Sequence, residues 1–161
     1  MFSSKKTANI LVVDDDKRLA DNLVKYLTML GYHASPAYGG REGVNRFKEG
    51  DFQLIITDLK MPGMDGMELL EEVKSLDKKV VVMVVTGYGT IDSAVAVIKK
   101  GAYDFIPKPF KMEELEVIIS RALDRQTLLR QAGVFRGLSM ALIISIPFWL
   151  LLGILLAMVW K

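Results

Sequence analysis

Five short apolar runs, each followed by a stretch of helical periodicity, restrict the fold of this chain more than any other feature of its sequence. Apolar runs of this length are typical of buried strands, and apolar residues three or four positions apart are typical of amphipathic helices. Strict alternation of the two, with short connections, predicts an α/β fold: a doubly wound parallel sheet with helices on both faces. The predicted strands are 9–13, 32–36, 52–57, 80–85 and 103–106, and the best-defined helices are 40–49, 91–99 and 111–131.

Helix signals support this alternation. Gly31 ends a first helix whose leucines recur at helical spacing. Val44 and Phe47 are expected to face the core from the second helix. Asp65 is a predicted N-cap of the third helix, because a short acidic side chain there accepts hydrogen bonds from free backbone N–H groups. The predicted inward positions of that third helix are Met67, Leu70 and Val73.

Reactive polar residues stand directly after four of the five predicted strands. Ligands of doubly wound sheets bind outside the carboxyl ends of the strands, so we expect these side chains to converge. An aspartate pair alone could merely cap a helix, but three further residues in register favour a site. Asp16 is expected to face solvent or to act as a cap. The residues at the strand ends are Asp14, Asp15, Asp16, Asp58, Thr86 and Lys108.

This set of side chains predicts phosphoryl chemistry. Clustered carboxylates repel one another and need a cation, and oxygen ligands without histidine or cysteine suit Mg²⁺. The chain contains no cysteine at all. A lysine and a threonine can neutralise and hydrogen-bond a phosphoryl group, while an aspartate can act as its acceptor. The sequence therefore predicts metal-assisted, in-line transfer of a phosphoryl group onto a carboxylate.

Four segments carry a resemblance to a known family: VVDDD at 12–16, TDLKMPGMDG at 57–66, VVTGYG at 84–89 and PKPF at 107–110. In order and spacing they resemble the signature segments of response-regulator receiver domains of two-component systems. The resemblance covers about 8–128 and implies a flavodoxin-like sheet of five parallel strands in the order 2-1-3-4-5.

The resemblance also implies a role for each acidic residue in metal binding or phosphorylation. Asp15 would bind Mg²⁺ directly, and Asp14 would bind it mainly through water. Asp58 would be phosphorylated and would also bind the metal. The backbone carbonyl of Lys60 would supply a further ligand.

Thr86 and Lys108 would hold the phosphoryl oxygens in the same resemblance. Phe105 occupies the position of the aromatic switch residue and would turn inward when Thr86 is drawn toward the phosphoryl group. Three residues are expected to tune access to the site. Gly87 is small and leaves the phosphoryl group accessible, whereas Lys60 and Tyr88 are bulky and restrict water. We therefore expect an aspartyl phosphate that lasts minutes or longer.

The stretch from 86 to 110 is most similar to receivers of the nitrogen-regulation class of enhancer-binding activators. That class continues into a nucleotide-hydrolysing module with a GxxxxGK loop, which this sequence lacks, and no helix-turn-helix is recognisable after residue 131. The net charge of +2 is too small to indicate nucleic acid binding. We therefore expect no nucleic acid partner, and no enzymatic activity beyond phosphoryl uptake and slow loss.

The single histidine, His33, lies in a predicted strand without a kinase-like context. The phosphoryl donor is therefore expected to be a sensor histidine kinase, a histidine phosphotransfer protein or a small phosphodonor.

From 137 to 160 the chain has 24 residues without a charge. About 23 residues at 1.5 Å each cover roughly 34 Å, enough to cross a hydrocarbon core of ~30 Å. A buried core helix seldom runs so long without charge, and an interfacial helix needs a polar face. The expected domains are 1–7 as an N-terminal tail, 8–128 as the receiver, 129–136 as a linker or helix extension and 137–161 as a transmembrane anchor.

The charges around this apolar segment predict its orientation. Arginines precede it and only Lys161 follows, so the positive-inside tendency places the receiver in the cytoplasm. We expect a single-pass, C-terminal anchor in the cell inner membrane. The preceding arginines are Arg121, Arg125, Arg130 and Arg136.

The leading functional hypothesis is a membrane-tethered receiver that signals through protein contacts, with a membrane protein or another copy of itself as partner. A phosphorelay intermediate or phosphate sink is the first alternative. A membrane docking module that acts independently of phosphorylation is the second. A hydrolase of the haloacid-dehalogenase type is disfavoured, because its DxDx[TV] motif does not fit the residues after Asp58.

Overall fold

The computed structural model describes residues 8–87 and 89–126, and over this part strands and helices alternate as the sequence predicts. The strands are β1 (Asn9–Val13), β2 (His33–Ala37), β3 (Leu54–Thr57), β4 (Val81–Thr86) and β5 (Asp104–Pro107). The helices are α1 (Lys17–Met29), α2 (Gly40–Glu49), α3 (Gly66–Leu76), α4 (Ile91–Lys99) and α5, whose described part is 112–126.

The five strands form one parallel sheet in the order β2-β1-β3-β4-β5, which confirms the predicted topology. Val13 at the end of β1 is opposite Thr57 of β3, and Thr86 at the end of β4 is opposite Pro107 of β5. The carboxyl ends of these strands therefore lie at the same edge of the sheet. We call this edge the carboxyl edge and the opposite one the amino edge.

Four of the five strands begin slightly later than the sequence predicts. β2, β4 and β5 begin one residue later than expected, and β3 begins two residues later. Gln53 nevertheless pairs with β1, because its backbone N–H donates to the Asn9 carbonyl at 3.0 Å and its side chain accepts from the Asn9 N–H at 2.7 Å. The difference thus lies in where the regular ladder starts, and the pairing itself is as predicted.

The sheet separates two apolar cores. Ile10 and Val12 of β1 point into a core that includes α1 and α5, whereas Leu11 and Val13 point into a core formed with α2, α3 and α4. Both β3 and β4 are buried along their whole length, as a central strand covered by helices on both faces must be. The residues at the carboxyl edge are therefore attached to the most closely packed part of the sheet.

The helix starts next to that edge are fixed by acidic caps. The Asp16 side chain accepts from two backbone N–H groups at the start of α1. Asp65 caps α3 in a reciprocal arrangement with Glu68, which confirms the predicted cap. Met67, expected to face inward, is only half-buried at the margin of the core. The fully buried side chains of α3 are Leu69, Leu70 and Val73.

In the described part of the chain, no helix is both long and apolar enough to span a membrane. The N-terminal tail, the end of the helix predicted to reach 131, the linker at 129–136 and the predicted span at 137–160 lie outside the described residues.

Candidate functional site

Three carboxylates meet at the carboxyl edge of the sheet. Oxygen atoms of Asp14, Asp15 and Asp58 all lie within 4.8 Å of one another. Asp14 and Asp58 are only 6% and 9% exposed, while Asp15 is exposed. Three carboxylate oxygens at this separation, with one open to solvent, suit a hard divalent cation such as Mg²⁺ that keeps part of its water shell. The sequence-predicted acidic cluster is therefore present.

Lys108 connects two of these carboxylates. Its Nζ donates to Asp14 Oδ2 at 2.8 Å and lies 3.6 Å from Asp58 Oδ2. The lysine follows β5, and its backbone N–H donates to the Thr86 carbonyl at 2.8 Å. The ends of β4 and β5 are thus joined immediately beside the acidic cluster.

The backbone orients both buried carboxylates. Leu59 N–H donates to Asp58 Oδ1 at 2.8 Å, and Asp16 N–H donates to Asp14 Oδ1 at 2.9 Å. In each aspartate one oxygen is therefore bound by the chain, and the other faces Lys108. The Asp58 backbone is itself held by a hydrogen bond from its N–H to the Val13 carbonyl at 2.9 Å.

Burial raises the pKa of the Asp14 carboxyl above its ordinary value. Hydrogen bonds from Lys108 and from the Asp16 N–H act in the opposite direction, as does the Lys108 charge, and the Asp58 charge adds to the rise. Desolvation dominates because the inner side of the site is apolar, with a cavity of about 10 Å³ lined partly by Leu23 and Phe110. A divalent cation would offset this penalty by favouring the ionised form.

Thr86 is completely buried at the end of β4. Gly87 after it is exposed, and a Cβ atom built there would meet nothing within 4 Å. Lys60 is also exposed. Gly87 and Lys60 are thus solvent-accessible in the loops that follow β4 and β3, and their role in tuning access stays a prediction. Tyr88 lies outside the described residues.

Phe105 is half-buried and packs against the core on the α2–α4 face. A Cβ atom at Gly89 would lie 3.0 Å from its ring. Sequence reasoning did not single out Gly89, since only the folded chain brings the loop after β4 onto the middle of β5. Gly89 is the residue that lets the Phe105 ring lie directly under this loop.

Gly66 is a second residue that sequence reasoning missed. A Cβ atom there would collide with the Asp58 carbonyl oxygen and approach the Leu59 Cα to 2.9 Å. The start of α3 therefore passes directly over the backbone of the candidate phosphoacceptor. The GMDG pattern at 63–66 was the available signal, although its meaning depends on this contact.

Of the three consecutive aspartates, Asp16 is not part of the acidic cluster. Its carboxylate accepts from Arg18 N–H at 3.0 Å and from Leu19 N–H at 3.3 Å. The expectation that Asp16 is a cap is confirmed. The two remaining aspartates supply the carboxylates of β1.

Comparisons with known proteins agree with this geometry. The response regulator receiver domain family matches residues 10–120. The transcriptional regulatory protein ZraR of Klebsiella oxytoca is 35% identical over 120 residues, which are 74% of this chain and 27% of ZraR. The chain thus spans about a quarter of the length of the curated relatives it matches.

Solved structures agree as well. A response regulator receiver domain protein from Clostridium thermocellum is 34% identical with a TM-score of 0.72, covering 76% of this chain and 98% of that one. NtrX from Brucella abortus, in complex with ADP, is 33% identical with a TM-score of 0.75, covering 79% of this chain and 29% of NtrX. The predicted similarity to receivers of nitrogen-regulation-class activators is confirmed at the level of the domain. This protein belongs to the receiver domain family of two-component response regulators, whose members are phosphoacceptors.

Proposed function

We propose that this protein is a membrane-tethered receiver whose Asp58 accepts a phosphoryl group from a phosphohistidine of another protein. The observation that supports Asp58 most is its proximity to the other two carboxylates and to Lys108. Its Oδ1 accepts from Leu59 N–H, so Oδ2 is the oxygen left to attack phosphorus. A sensor histidine kinase or a histidine phosphotransfer protein would supply the group.

The transfer breaks the P–N bond of the donor and forms an O–P bond on Asp58. The electron pair of the broken bond returns to the imidazole nitrogen of the donor. When bound, Mg²⁺ neutralises charge that accumulates between the carboxylate and the phosphoryl oxygens. Asp14, Asp15, Asp58 and the Lys60 carbonyl would hold the ion.

Lys108 and Thr86 would bind the phosphoryl oxygens. The Lys108 ammonium already lies 3.6 Å from Asp58 Oδ2, so a small movement brings it onto an oxygen of the new group. The Lys108 backbone N–H donates a hydrogen bond to the Thr86 carbonyl. A shift of either residue would therefore also displace the other. They give the site its positive charge and its hydroxyl donor.

The response to phosphorylation would travel through Phe105. Movement of the Thr86 hydroxyl toward the phosphoryl group opens space into which the half-buried Phe105 ring can turn. The ring lies on β5, beside α4, and its movement would alter the face built from α4, β5 and α5. The ring would then act as a two-state element of the kind that a local charge change can bias.

That face carries apolar side chains that lack cover within the described structure. Ile91, Val95 and Ile98 follow helical spacing on α4 and are exposed, with Ile91 at 84%. Val117 of α5 is exposed as well. Exposed apolar side chains of this kind suit a protein partner, either a membrane protein or a second copy of this chain.

The membrane tether is argued from the sequence. The uncharged segment at 137–160 matches the thickness of a hydrocarbon core, and the arginines that precede it favour a cytoplasmic receiver. The location that follows is the cell inner membrane, with the receiver on the cytoplasmic side.

The phosphoacceptor is tested by incubating the full chain with Mg²⁺ and acetyl phosphate and measuring intact mass. We expect one phosphoryl group on the wild type and none on Asp58→Asn. Asp51→Asn, an exposed aspartate at the amino edge, is the matched control and should react normally. Uptake of one group by Asp58→Asn at the wild-type rate would refute the assignment.

The function is tested by a pull-down from detergent-solubilised membranes, comparing wild type with Asp58→Ala. Loss of a partner in the variant supports a phosphorylation switch. An unchanged partner set indicates a phosphorylation-independent docking module. Rapid reversible exchange of the phosphoryl group with a histidine phosphotransfer protein indicates a relay intermediate.

A further inference from the structure

A group of exposed cations lies on the amino edge of the sheet, opposite the phosphoacceptor site. Lys78 and Lys79 form the turn before β4, and Lys99 ends α4. Arg121 and Arg125 lie one turn apart near the end of the described part of α5. We call these five residues the basic edge. All five side chains are exposed.

Hydrogen bonds fix the elements that carry the basic edge. The buried Gln126 side chain donates to the Lys79 carbonyl at 2.9 Å, which attaches the end of α5 to the turn before β4. Lys74 Nζ donates to the Val80 carbonyl at 2.6 Å and attaches the end of α3 to the same turn. These two hydrogen bonds thus hold the turn that carries Lys78 and Lys79 in a fixed position between α3 and α5.

Nearby carboxylates only partly balance these charges. Glu71 forms an ion pair with Lys100, the residue after α4. Asp77 accepts from the Lys79 backbone N–H at 2.7 Å and is the C-cap residue of α3. Asp124 lies on α5 between Arg121 and Arg125, and Asp51 precedes β3 at the amino edge.

The chain leaves the described domain at this same edge. Gln126 is followed by ten residues that include Arg130 and Arg136, and then by the uncharged segment at 137–160. Ten residues reach at most about 35 Å when fully extended. If the uncharged segment enters a bilayer, this length is short enough for the basic edge to contact the headgroups.

We propose that the basic edge docks on anionic lipid headgroups of the membrane that holds the chain. The inference rests on the proposed tether and adds a specific surface and lipid class to it. Each Lys or Arg close to an anionic leaflet strengthens binding about fivefold, and the effect falls off within a Debye length. Docking through the amino edge leaves Asp58, at the carboxyl edge, facing the donor protein.

The docking is measured with the full chain reconstituted in vesicles of phosphatidylcholine, with or without about a third of phosphatidylglycerol. Because the chain has no native cysteine, a fluorophore is attached through Ser75→Cys, an exposed position in the last turn of α3 beside the basic edge. Quenching by a nitroxide on the lipid headgroup reports proximity to the surface. A second probe at Lys111→Cys, exposed just before α5 at the carboxyl edge, is the internal comparison.

We expect quenching at Ser75→Cys to exceed that at Lys111→Cys on anionic vesicles only, and to weaken at high salt. Lys78→Gln with Lys79→Gln should reduce the docked fraction about tenfold or more. Lys17→Gln with Arg18→Gln removes the same charge at the start of α1, at the carboxyl edge, and should leave quenching unchanged.

Three results would separate the hypotheses. Failure of the wild-type chain to float with either vesicle would refute the tether on which the inference rests. Flotation with equal quenching on both lipid mixtures would refute the docking alone. Salt-sensitive protection of the Ser75→Cys probe by duplex DNA, without protection by anionic vesicles, would assign the basic edge to nucleic acid and overturn the proposal.

Discussion

Lys108 balances charge within the acidic cluster, because its ammonium contacts both buried carboxylates. Phosphorylation of Asp58 would offer this ammonium a more highly charged partner than Asp14. Asp14 would then depend on the metal for its compensating charge. The same lysine can therefore stabilise the cluster before transfer and the product after it.

The raised pKa of Asp14 gives a stability prediction. A carboxyl whose folded-state pKa lies above the ordinary value of 3.8 destabilises the fold when ionised, mainly through desolvation. In Mg²⁺-free buffer at pH 7, Asp14→Asn should raise the free energy of unfolding, because the amide carries no charge to desolvate. The gain should fade as the pH drops through the raised pKa and vanish below 3.8, where both states are protonated.

Urea denaturation at several pH values in the presence of a chelator measures this effect. Added Mg²⁺ should reverse the order, since it stabilises the wild-type chain more than a variant lacking one carboxylate. A variant less stable than wild type at pH 7 without Mg²⁺ would show that the hydrogen bonds of Asp14 outweigh its desolvation.

Asp15 is a proposed metal ligand, whereas the neighbouring Asp16 caps α1. Substituting each residue in turn tests this difference in role. Asp15→Asn removes a charge from the cluster and should lower Mg²⁺ affinity by tenfold or more. Asp16→Asn retains a side chain that caps helices well and should change the affinity less than about twofold. Isothermal titration calorimetry with MgCl₂ measures both. Equal losses in the two variants would contradict the division of roles.

At the scale of elements, the start of α3 is built against the loop that carries Asp58. Gly66→Ala would force a Cβ atom into the Asp58 carbonyl, and neither backbone can yield without moving the acceptor. We expect a loss of about 2 kcal/mol in unfolding free energy, typical of overpacking, and slower phosphoryl uptake.

Gly87→Ala is the matched control for this substitution, because a Cβ atom there enters open space. Its stability should stay within about 0.5 kcal/mol of wild type. Thermal unfolding is measured for both variants, and the phosphorylation time course is measured for Gly66→Ala against wild type. Similar behaviour of the two would show that the loop after β3 adapts easily.

The order of elements was predictable because periodicity and strand-end chemistry are local in the sequence. The acidic cluster and Lys108 were predictable for a related reason, since parallel strands bring their carboxyl ends together. Contacts between distant segments were not. These contacts depend on how helices and loops pack on the sheet. They are the contacts of Gly66 with Asp58, of Gly89 with Phe105 and of Gln126 with Lys79.

At the scale of the whole molecule, the described domain has three separate surfaces of interest: the acidic cluster, the basic edge and the exposed apolar side chains of α4. The phosphoacceptor site occupies the carboxyl edge, the basic edge lies at the opposite end, and the apolar stripe of α4 runs between them. If the proposals above hold, donor, membrane and output partner would each contact a separate surface of the domain.

The exposed apolar side chains of α4 give a further prediction. Ile91→Asn with Ile98→Asn should leave phosphorylation of Asp58 intact and abolish recovery of the phosphorylation-dependent partner, since both side chains are exposed. Met29→Asn is the control, because Met29 is 78% exposed on the last turn of α1, away from this side. Partner recovery from solubilised membranes is measured. Retention by the double variant would place the output elsewhere.

The ion pair between Lys108 and Asp14 has a consequence for the net charge of the site. Three carboxylates and one ammonium sum to minus two, so one bound Mg²⁺ makes the group neutral. Phosphorylation converts a monoanion into a dianion and leaves one uncompensated negative charge beside an apolar interior. A field from such a charge extends further than it would in water. Under the proposed function, phosphorylation would therefore be marked by the appearance of a single unbalanced charge at the carboxyl edge.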